Sequence, residues 1–291
     1  MSDAHDLYLY RRKGNYAPRV GAVHDLCGYG NCSLVVAITI VSAAGCDVCP
    51  VPTSLFSANT KFPVFYMHDT TDILNDYLDA WNKEKVDLDA IYSGFLGSAT
   101  QVDVIKRMYL EYPHALRIVD PVMGDDGKKY PTYTQEMCDA TRELVEGADL
   151  LTPNLTEASL LTDISYEGQD VDDDYVHRMI DALLTMGAKS VVLKGVVRGD
   201  GKIRNYLAGE GYAPAEVIAE ELPYMLHGTG DVFASATLAA IMCGRSLYDA
   251  VDFASTFVHD AMVITREQPD YEMRGVTFEP VLGEVTDLLR K

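Results

Sequence analysis

The feature that most constrains the fold is a regular alternation of short β-rich runs with longer amphipathic stretches along nearly the whole chain. Residues 20–23 predict a strand, and the apolar stretch 33–44, which Gly45 ends, predicts a helix. Further strands are predicted at 46–51, 90–93, 116–119, 150–152 and 190–193, with helices at 70–83, 101–111, 135–145, within 171–186, and at 232–243 and 247–266, the last two closing the chain. This order predicts an α/β fold, a doubly wound and mostly parallel sheet with helices on both faces.

The length of the chain fits one large domain. With 291 residues, of which 48% are hydrophobic, it can bury a full core. We expect a polar N-terminal extension over residues 1–18 and a single domain over residues 19–291. The sequence shows neither a secretory leader nor an apolar stretch that would span a bilayer, so a cytoplasmic protein is expected.

The acidic balance of the chain disfavours two classes of partner. A net charge of −20 argues against nucleic acid and against an anionic membrane, because both need clustered lysine and arginine. An anionic substrate such as a nucleotide would need local help from a divalent metal, a helix N-terminus or a few well-placed basic side chains. In the predicted sheet, such anion-binding groups are expected at the carboxyl ends of the strands, where ligands bind in this architecture.

The strongest chemical motif is a glycine-rich turn that opens directly into an apolar helix, namely Gly228, Thr229, Gly230 and Asp231. Backbone N–H groups in such a turn can approach a phosphoryl group closely, and the helix dipole favours its negative charge. Asp231 can then accept the proton of an attacking hydroxyl group, as a catalytic aspartate does in kinases. Aspartate is also a preferred helix cap, so the turn alone leaves a catalytic and a structural role open.

Three further motifs follow predicted strands. Asp120 and Asp125 suit Mg²⁺, although an Asp-Pro turn would also explain Asp120. Asn154 and Glu157 have the spacing of a capping box before an apolar helix, and they can serve a nucleotide site as well. Lys194 ends another strand and would bring an ammonium group to the same anion site, unless it is an ordinary surface lysine.

In this order, the motifs resemble those of the ribokinase-like kinases, and within them the vitamin B6 branch that phosphorylates pyridoxal, pyridoxine and pyridoxamine. The resemblance runs from about Arg19 to Leu282 and is most specific in GTGD at 228–231, DPVMGDDGK at 120–128 and TPNLTEA at 152–158. The hydroxymethylpyrimidine kinases of thiamine synthesis are near relatives. The resemblance implies a ribokinase-like fold, ATP-dependent phosphorylation of a 5′-hydroxymethyl group by a pyridoxal kinase-type phosphotransferase, and a homodimer.

On the nucleotide side, the resemblance implies that Asp231 is the catalytic base and that the backbone from Gly228 to Gly230 is the anion hole. ATP enters as co-substrate with Mg²⁺, which the family holds largely through water. The implied nucleotide contacts are Asn154, Lys194, Thr229 and Gly230, and the expected metal site comprises Asp120, Asp125 and Glu157.

On the vitamin side, His24 and Asp25 match the first strand and turn that hold the ring, and Asp25 can accept a hydrogen bond from a ring substituent. Thr60 matches a contact to the ring nitrogen, and Phe95 matches an aromatic wall over the ring; a loop threonine and a core phenylalanine are the alternatives. Several relatives carry a serine in the first loop that touches the ring. The alignment of His24 and Asp25 with the ring-binding positions is therefore open by a residue or two. Residues 54–69 are long and irregular enough to form a flap.

Lys194 departs from the vitamin B6 branch. It lies where many B6 kinases have a hydroxyl residue beside a monovalent cation, whereas the pyrimidine kinases often have a Lys-Gly pair. We hypothesise that Lys194 supplies the positive charge for which relatives recruit K⁺, with Asp120 and Thr152 facing either the ammonium group or the ion. A steep dependence of activity on added potassium would contradict this idea.

Several functions stay open, of which phosphorylation of a B6 vitamer is favoured. A hydroxymethylpyrimidine kinase is favoured by Lys194 and disfavoured by the segment 56–60. A sugar or nucleoside kinase would need more polar groups around its substrate pocket than the segment 24–30 and Phe95 provide. A non-catalytic vitamin or nucleotide binder is disfavoured, because the base, the anion-hole glycines and the metal candidates are all present.

Overall fold

A nine-stranded sheet forms the centre of the molecule. The structure is a computed structural model and describes residues 7–290. Its strands are β1 (Arg19–Cys27), β2 (Asp47–Phe56), β3 (Met67–Asp69), β4 (Ala90–Ser93), β5 (Leu116–Val119), β8 (Leu150–Leu151), β9 (Ser190–Val197), β10 (Lys202–Gly209) and β11 (Tyr212–Glu220), and a separate hairpin consists of β6 (Gly124–Asp125) and β7 (Lys128–Lys129). The order across the sheet is β11, β10, β9, β8, β5, β4, β1, β2 and β3. Neighbouring strands from β9 to β2 in this order run parallel, whereas the pairs β2–β3, β9–β10 and β10–β11 are antiparallel.

Helices cover both faces of this sheet. One face packs against α1 (Ser33–Ala43), α7 (Thr229–Met242) and α8 (Leu247–Thr265), and the other against α2 (Thr71–Lys83), α3 (Gln101–Glu111), α4 (Gln135–Arg142), α5 (Leu155–Thr162) and α6 (Asp173–Thr185). After α8 come α9 (Tyr271–Arg274), α10 (Leu282–Asp287) and two short 3-10 helices (Glu279–Val281 and Leu288–Arg290). The predicted doubly wound α/β architecture is confirmed.

The side chains of each strand alternate between two hydrophobic cores. In β1, Val20 and Ala22 join the core under α1, α7 and α8, whereas Val23 joins the core on the opposite face. Every residue of α7 from Asp231 to Met242 is buried, as expected for a helix that is apolar around most of its circumference. Burial of each large apolar side chain contributes roughly 1.5–3 kcal/mol, so the core holds the N-terminus of α7 in place.

The structure differs from the sequence-based prediction at several points, among them the unpredicted β6–β7 hairpin. β2 extends to Phe56 and β3 pairs with it, so the irregular part of the expected flap over 54–69 is only 57–66. β10 and β11 form an antiparallel edge that was not predicted, because polar and charged residues interrupt the apolar ones in both strands. Finally, α9 and α10 follow the two helices that were expected to close the chain.

The segment before β1, the described part of the expected polar extension, packs along the domain. The carbonyl oxygen of Leu7 accepts a hydrogen bond from the N–H of Leu247 over 2.8 Å, and Arg12 Nη1 donates to the carbonyl oxygen of Ala44 over 2.7 Å. The first six residues of that extension lie outside the described residues. Among the described helices, none has the length and apolar character needed to cross a bilayer.

Candidate active site

The glycine-rich turn forms the N-terminus of α7. Gly228 caps this helix with a φ of 83°, in the left-handed region that favours glycine. The hydroxyl group of Thr229 donates to the carbonyl oxygen of Leu226 over 3.2 Å and so holds the turn. A Cβ atom at Gly230 would lie only 3.6 Å from Lys194 Nζ, which brings an ammonium group to the first turn of the helix. Helix N–H groups beside a buried cation are suited to bind an anion.

Asp231 lies in the first turn of α7 but does not cap it. Its Oδ2 atom accepts a hydrogen bond of 3.0 Å from the N–H of Ser33, the first residue of α1, while Gly228 occupies the cap position. The interpretation of Asp231 as a simple helix cap is therefore wrong. Burial raises the pKa of Asp231 to about 7, against the hydrogen bond from Ser33, which lowers it. A carboxyl group with this pKa can accept and return a proton near neutral pH.

The turn between β1 and α1 is clamped by two glycine-containing loops. The N–H of Asn31 donates to the carbonyl oxygen of Arg274 over 2.7 Å, and its Nδ2 atom donates to that of Val276 over 2.9 Å. A Cβ atom at Gly228 would lie 2.5 Å from the carbonyl oxygen of Asn31, and one at Gly275 would lie 2.8 Å from it. Both positions thus need glycine, because backbone packs directly on backbone.

Lys194 forms a buried ion pair with Asp120, the residue after β5, but it lies in the interior of β9 and not at the end of the strand as expected. Lys194 Nζ lies 2.5 Å from Asp120 Oδ1, and the two side chains are 10% and 1% exposed. The hydroxyl group of Thr152 donates to the same carboxylate oxygen over 3.1 Å. Burial acts to lower the pKa of Lys194, but the carboxylates of Asp120 and Glu157 raise it above its ordinary value, so the lysine is charged. Asp120 thus contacts the ammonium group, as expected, whereas Thr152 is linked to it through the shared carboxylate oxygen.

Asn154 and Glu157 form a complete capping box at the start of α5. Asn154 Oδ1 accepts from the N–H of Glu157, and Glu157 Oε2 accepts from the N–H of Asn154, both over 2.8 Å. Glu157 Oε1 also accepts from the N–H of Met123 over 3.2 Å, and Asn154 Nδ2 donates to the carbonyl oxygen of Gly124 over 2.9 Å. The box therefore ties α5 to the β6–β7 hairpin. Its structural role is confirmed, and its role toward a nucleotide stays a prediction.

The three expected metal ligands do not converge on one point. Asp120 is paired with Lys194, Glu157 is bonded to backbone N–H groups, and Asp125 is exposed on the β6–β7 hairpin. Over residues 7–290, no group of three or more His, Cys, Asp or Glu side chains is arranged to hold a metal ion. Asp120, Asp125 and Glu157 thus do not form a protein-only metal centre. Mg²⁺ that arrives with a nucleotide needs only one or two carboxylates, since water and phosphate oxygens supply the rest.

Tyr130 is a candidate site residue that sequence reasoning missed. It follows β7, and its N–H donates to the carbonyl oxygen of Met123 over 3.0 Å. Burial raises the pKa of its hydroxyl group, and the carboxylates of Glu157, Asp125 and Asp231 raise it further. The hydroxyl group is therefore a hydrogen-bond donor among acidic residues of three motifs. Its position just beyond the DPVMGDDGK motif was the one signal in the sequence.

The expected vitamin-binding residues Asp25, Phe95 and Thr60 have different environments. Asp25 is buried near the carboxyl end of β1, and Phe95 is buried after the neighbouring strand β4. The ring of Phe95 lies edge-on to that of Phe56, with 5.8 Å between ring centroids, so two aromatic rings stand beside the end of β1. Thr60 is exposed on the irregular loop 57–66. Asp25 and Phe95 are thus in place at adjacent strand ends, while Thr60 belongs to the loop 57–66, whose role as a flap stays a prediction.

His24 is separated from this group because its side chain points into the core. It is 0% exposed and packs edge-on against Tyr92, with 4.3 Å between ring centroids, in a space that a Cβ atom at Gly94 would fill. Neither ring nitrogen has a hydrogen-bond partner among the described residues, and burial lowers the pKa of His24 to about 3. The expected direct contact of His24 with a substrate is not available in this structure, since alternation along β1 directs it away.

Comparison with known proteins assigns this geometry to a family. A profile of the family described as phosphomethylpyrimidine kinase matches residues 37–274, most of the chain. The chain belongs to the phosphomethylpyrimidine kinase family. A pyridoxine/pyridoxal/pyridoxamine kinase from Bordetella avium is 31% identical to it over 281 residues, which cover 91% of each chain.

Solved structures share the fold of this kinase. A candidate phosphomethylpyrimidine kinase from Bacteroides thetaiotaomicron, crystallised with pyridoxal, has a TM-score of 0.88 and 34% identity, covering 93% of this chain and 96% of its own. The pyridoxal kinase from Lactobacillus plantarum has a TM-score of 0.85 and 28% identity, with 94% and 97% covered. The predicted ribokinase-like fold and the resemblance to the B6 kinases are confirmed.

A cleft of about 200 Å³ lies between β11 and α8 of the kinase. Ile218, Ser255 and His259 are among its lining residues. Ser255 Oγ accepts a hydrogen bond of 2.9 Å from Asn205 Nδ2, and Asn205 Oδ1 accepts one of 2.9 Å from the N–H of Gly195. A single asparagine therefore connects the cleft to the residue that follows Lys194.

Buried carboxyl groups make the stability of the kinase depend on pH. Burial raises the pKa of Asp25 to about 6 and that of Asp231 to about 7. Because the folded state binds these protons more tightly, the stabilising contribution is complete below about pH 4 and is lost as the pH rises through these values. The difference in Tm between Asp25→Asn and the wild type should therefore shift in favour of the variant between about pH 5 and 7. A constant difference in a thermal-melt series would contradict the raised pKa.

Proposed function

We propose that the kinase transfers the γ-phosphoryl group of ATP to the 5′-hydroxymethyl group of pyridoxal, pyridoxine or pyridoxamine. The observation that carries this proposal is Asp231, a buried carboxyl group with a pKa of about 7 at the glycine-rich N-terminus of α7. The rings of Phe95 and Phe56, which stand beside the end of β1, would suit a substrate whose hydroxymethyl group is attached to an aromatic ring. The B6 kinases among the relatives support this substrate class.

In the proposed mechanism, the hydroxymethyl group donates its proton to the Asp231 carboxylate while its oxygen attacks the γ-phosphorus, and ADP leaves in line. The N–H groups of the segment from Gly228 to Gly230 stabilise the negative charge of the transferring phosphoryl oxygens. The ammonium group of Lys194, held by Asp120, adds positive charge beside the same turn. These residues orient the phosphoryl group and take up one proton per turnover.

We propose that ATP reaches from this turn toward the cleft between β11 and α8. Asn154, Lys194, Thr229 and Gly230 would contact its phosphates, since Asn154 Nδ2 carries a second hydrogen besides the one donated to Gly124. The cleft would hold the base, because Asn205 links it to the backbone next to Lys194. Bound Mg²⁺ neutralises phosphate charge, and Asp125 and Glu157 would hold it through water. Asp120 is committed to Lys194 and is a weaker candidate.

A second candidate is phosphorylation of hydroxymethylpyrimidine. The family profile favours it, and so does Lys194 followed by Gly195, the pair that the pyrimidine kinases often carry. Both candidate substrates present a hydroxymethyl group on a six-membered heteroaromatic ring, so the same base and anion hole serve either one. The ring contacts, and not the phosphoryl-transfer residues, distinguish them.

An ATP-consumption assay with pyridoxal, pyridoxine, pyridoxamine and hydroxymethylpyrimidine tests the proposal directly. We expect MgATP turnover with at least one B6 vitamer at roughly 1–100 s⁻¹, the usual range for kinases. Ribose and a nucleoside serve as controls for the sugar-kinase alternative. Turnover with the pyrimidine alone would overturn the vitamin assignment and keep the kinase, whereas no turnover with any of them would contradict the kinase mechanism.

A further inference from the structure

We infer that Asp25 makes the site selective for substrates with an amino or aminomethyl group on the ring carbon next to the one that bears the hydroxymethyl group. Among B6 vitamers this selects pyridoxamine. The inference rests on the proposed function and deepens it, because it assigns the recognition of the ring's second substituent to one side chain.

The first argument is the position of Asp25. It lies near the carboxyl end of β1, the central strand next to β4, and is 6% exposed. The pairing of β1 with β2 shifts register between His24 and Leu26, and the extra residue of this irregularity lies in β2, opposite Asp25. Neighbouring side chains of a strand point in opposite directions, so His24 packs in the core against Tyr92, whereas Asp25 lies close enough to Asp231 to act on it electrostatically.

The second argument is the closeness of Asp25 to the catalytic candidate Asp231. One residue, Ser33, touches both: its N–H donates to Asp231 Oδ2 over 3.0 Å, and its side chain lies against the Asp25 carboxylate. The two carboxyl groups also influence each other electrostatically. Ser33 thus brings the two carboxyl groups into the same small region of the site. A hydroxymethyl group at Asp231 therefore places the adjacent substituent at Asp25.

The third argument is charge. The buried cation of the site, Lys194, is paired with Asp120 and not with Asp25. The groups beside Asp25 are the hydroxyl group of Ser33 and the thiol groups of Cys27 and Cys32. A buried carboxylate without a cationic partner is costly, and a ligand that brings an ammonium group removes this cost on binding. Asp25 thus acts as a preformed counter-ion for a cationic substituent.

The candidate substrates differ in what they offer at this position. Pyridoxamine presents a protonated primary amine, hydroxymethylpyrimidine a neutral amino group, pyridoxine a hydroxyl group, and pyridoxal an aldehyde that has no proton to donate. Hydrogen bonds between charged partners are about twice as strong as neutral ones. The expected order of preference is therefore pyridoxamine first and pyridoxal last. Pyridoxamine and pyridoxine differ only in this substituent, which makes them a matched pair.

The test compares kcat/KM for pyridoxamine and pyridoxine at pH 8 in the wild type and in Asp25→Asn. The wild type should prefer pyridoxamine by at least about tenfold, the effect expected of one charge-assisted hydrogen bond. The substitution should lower kcat/KM for pyridoxamine at least about tenfold more than for pyridoxine, so that the preference collapses. Asp170→Asn is the control. Asp170 is exposed in the segment before α6, so this substitution should leave both kcat/KM values unchanged.

Equal losses with both vitamers in Asp25→Asn would overturn the inference, because Asp25 would then hold the ring or the fold as a whole. A wild-type enzyme that prefers pyridoxine would overturn it without any variant, which covers the case of a variant that fails to fold. Should no vitamer be phosphorylated, the proposed function fails separately. Asp25 is then tested by the loss of turnover of hydroxymethylpyrimidine in Asp25→Asn, and unchanged turnover would overturn its role.

Discussion

Asp231→Asn should lower kcat by roughly 10²–10⁴-fold, the range over which a positioned base contributes. The amide of asparagine cannot take the hydroxyl proton, but its oxygen can still accept the hydrogen bond from the N–H of Ser33. The fold and the anion site at α7 should therefore persist. Steady-state kinetics measures the loss of turnover, and calorimetry should show ATP affinity close to that of the wild type.

A matched exposed acid controls for the general effect of removing one negative charge. Asp139→Asn, on the surface of α4, should leave kcat unchanged. If Asp231→Asn turned over at the wild-type rate, Asp231 would be a structural residue and the proposed proton transfer would be wrong. A loss of ATP binding equal to the loss of turnover would instead assign Asp231 to the nucleotide site.

Lys194→Met should destabilise the protein by about 3–5 kcal/mol, because it leaves the Asp120 carboxylate buried and without its cation. It should also lower turnover, since the anion site loses its nearest ammonium group. Urea denaturation gives the change in the free energy of unfolding. Lys189→Met is the matched control: Lys189 is 57% exposed in its pair with Asp149, and its loss should cost less than about 1 kcal/mol.

Residue 194 should also determine whether turnover depends on monovalent cations. With Lys194 in place, added K⁺ should leave wild-type turnover unchanged in an otherwise cation-free buffer. In Lys194→Ala, the space beside Asp120 and Thr152 is open, and K⁺ should restore part of the activity. Steep potassium dependence of the wild type would contradict the idea that the ammonium group replaces the ion.

Features with a local cause could be predicted from the sequence. The parallel strands that carry the site were recognised because each is a compact apolar run followed by a helix signal. The capping box of Asn154 and Glu157 could be predicted because its two hydrogen bonds join residues three positions apart. Glycine at 228 also has a partly local cause, since it caps α7 with a positive φ.

Features with a distant cause could not be predicted. The contrast between His24 and Asp25 follows from the alternation along β1, but which of the two enters the core depends on packing against Tyr92 of β4, a residue far along the chain. The environment of Tyr130 depends on acidic residues from three separate elements, β6, α5 and α7. The pairing of Asp231 with Ser33 spans 198 positions, and with Gly228 at the cap position it excludes a simple helix cap. The predicted homodimer stays a prediction for the same reason, since a partner surface has no local pattern.

The clamp on the β1–α1 turn links catalysis to the order in which the chain is made. Asn31 is synthesised early, but the carbonyl group of Val276 that holds its side chain follows 245 positions later. The first strands can pair while the rest of the protein is still on the ribosome, yet the turn between β1 and α1, which separates Asp25 from Ser33, has no anchor at that stage. A fragment that stops short of α9 therefore carries the candidate catalytic motifs without the clamp on this turn.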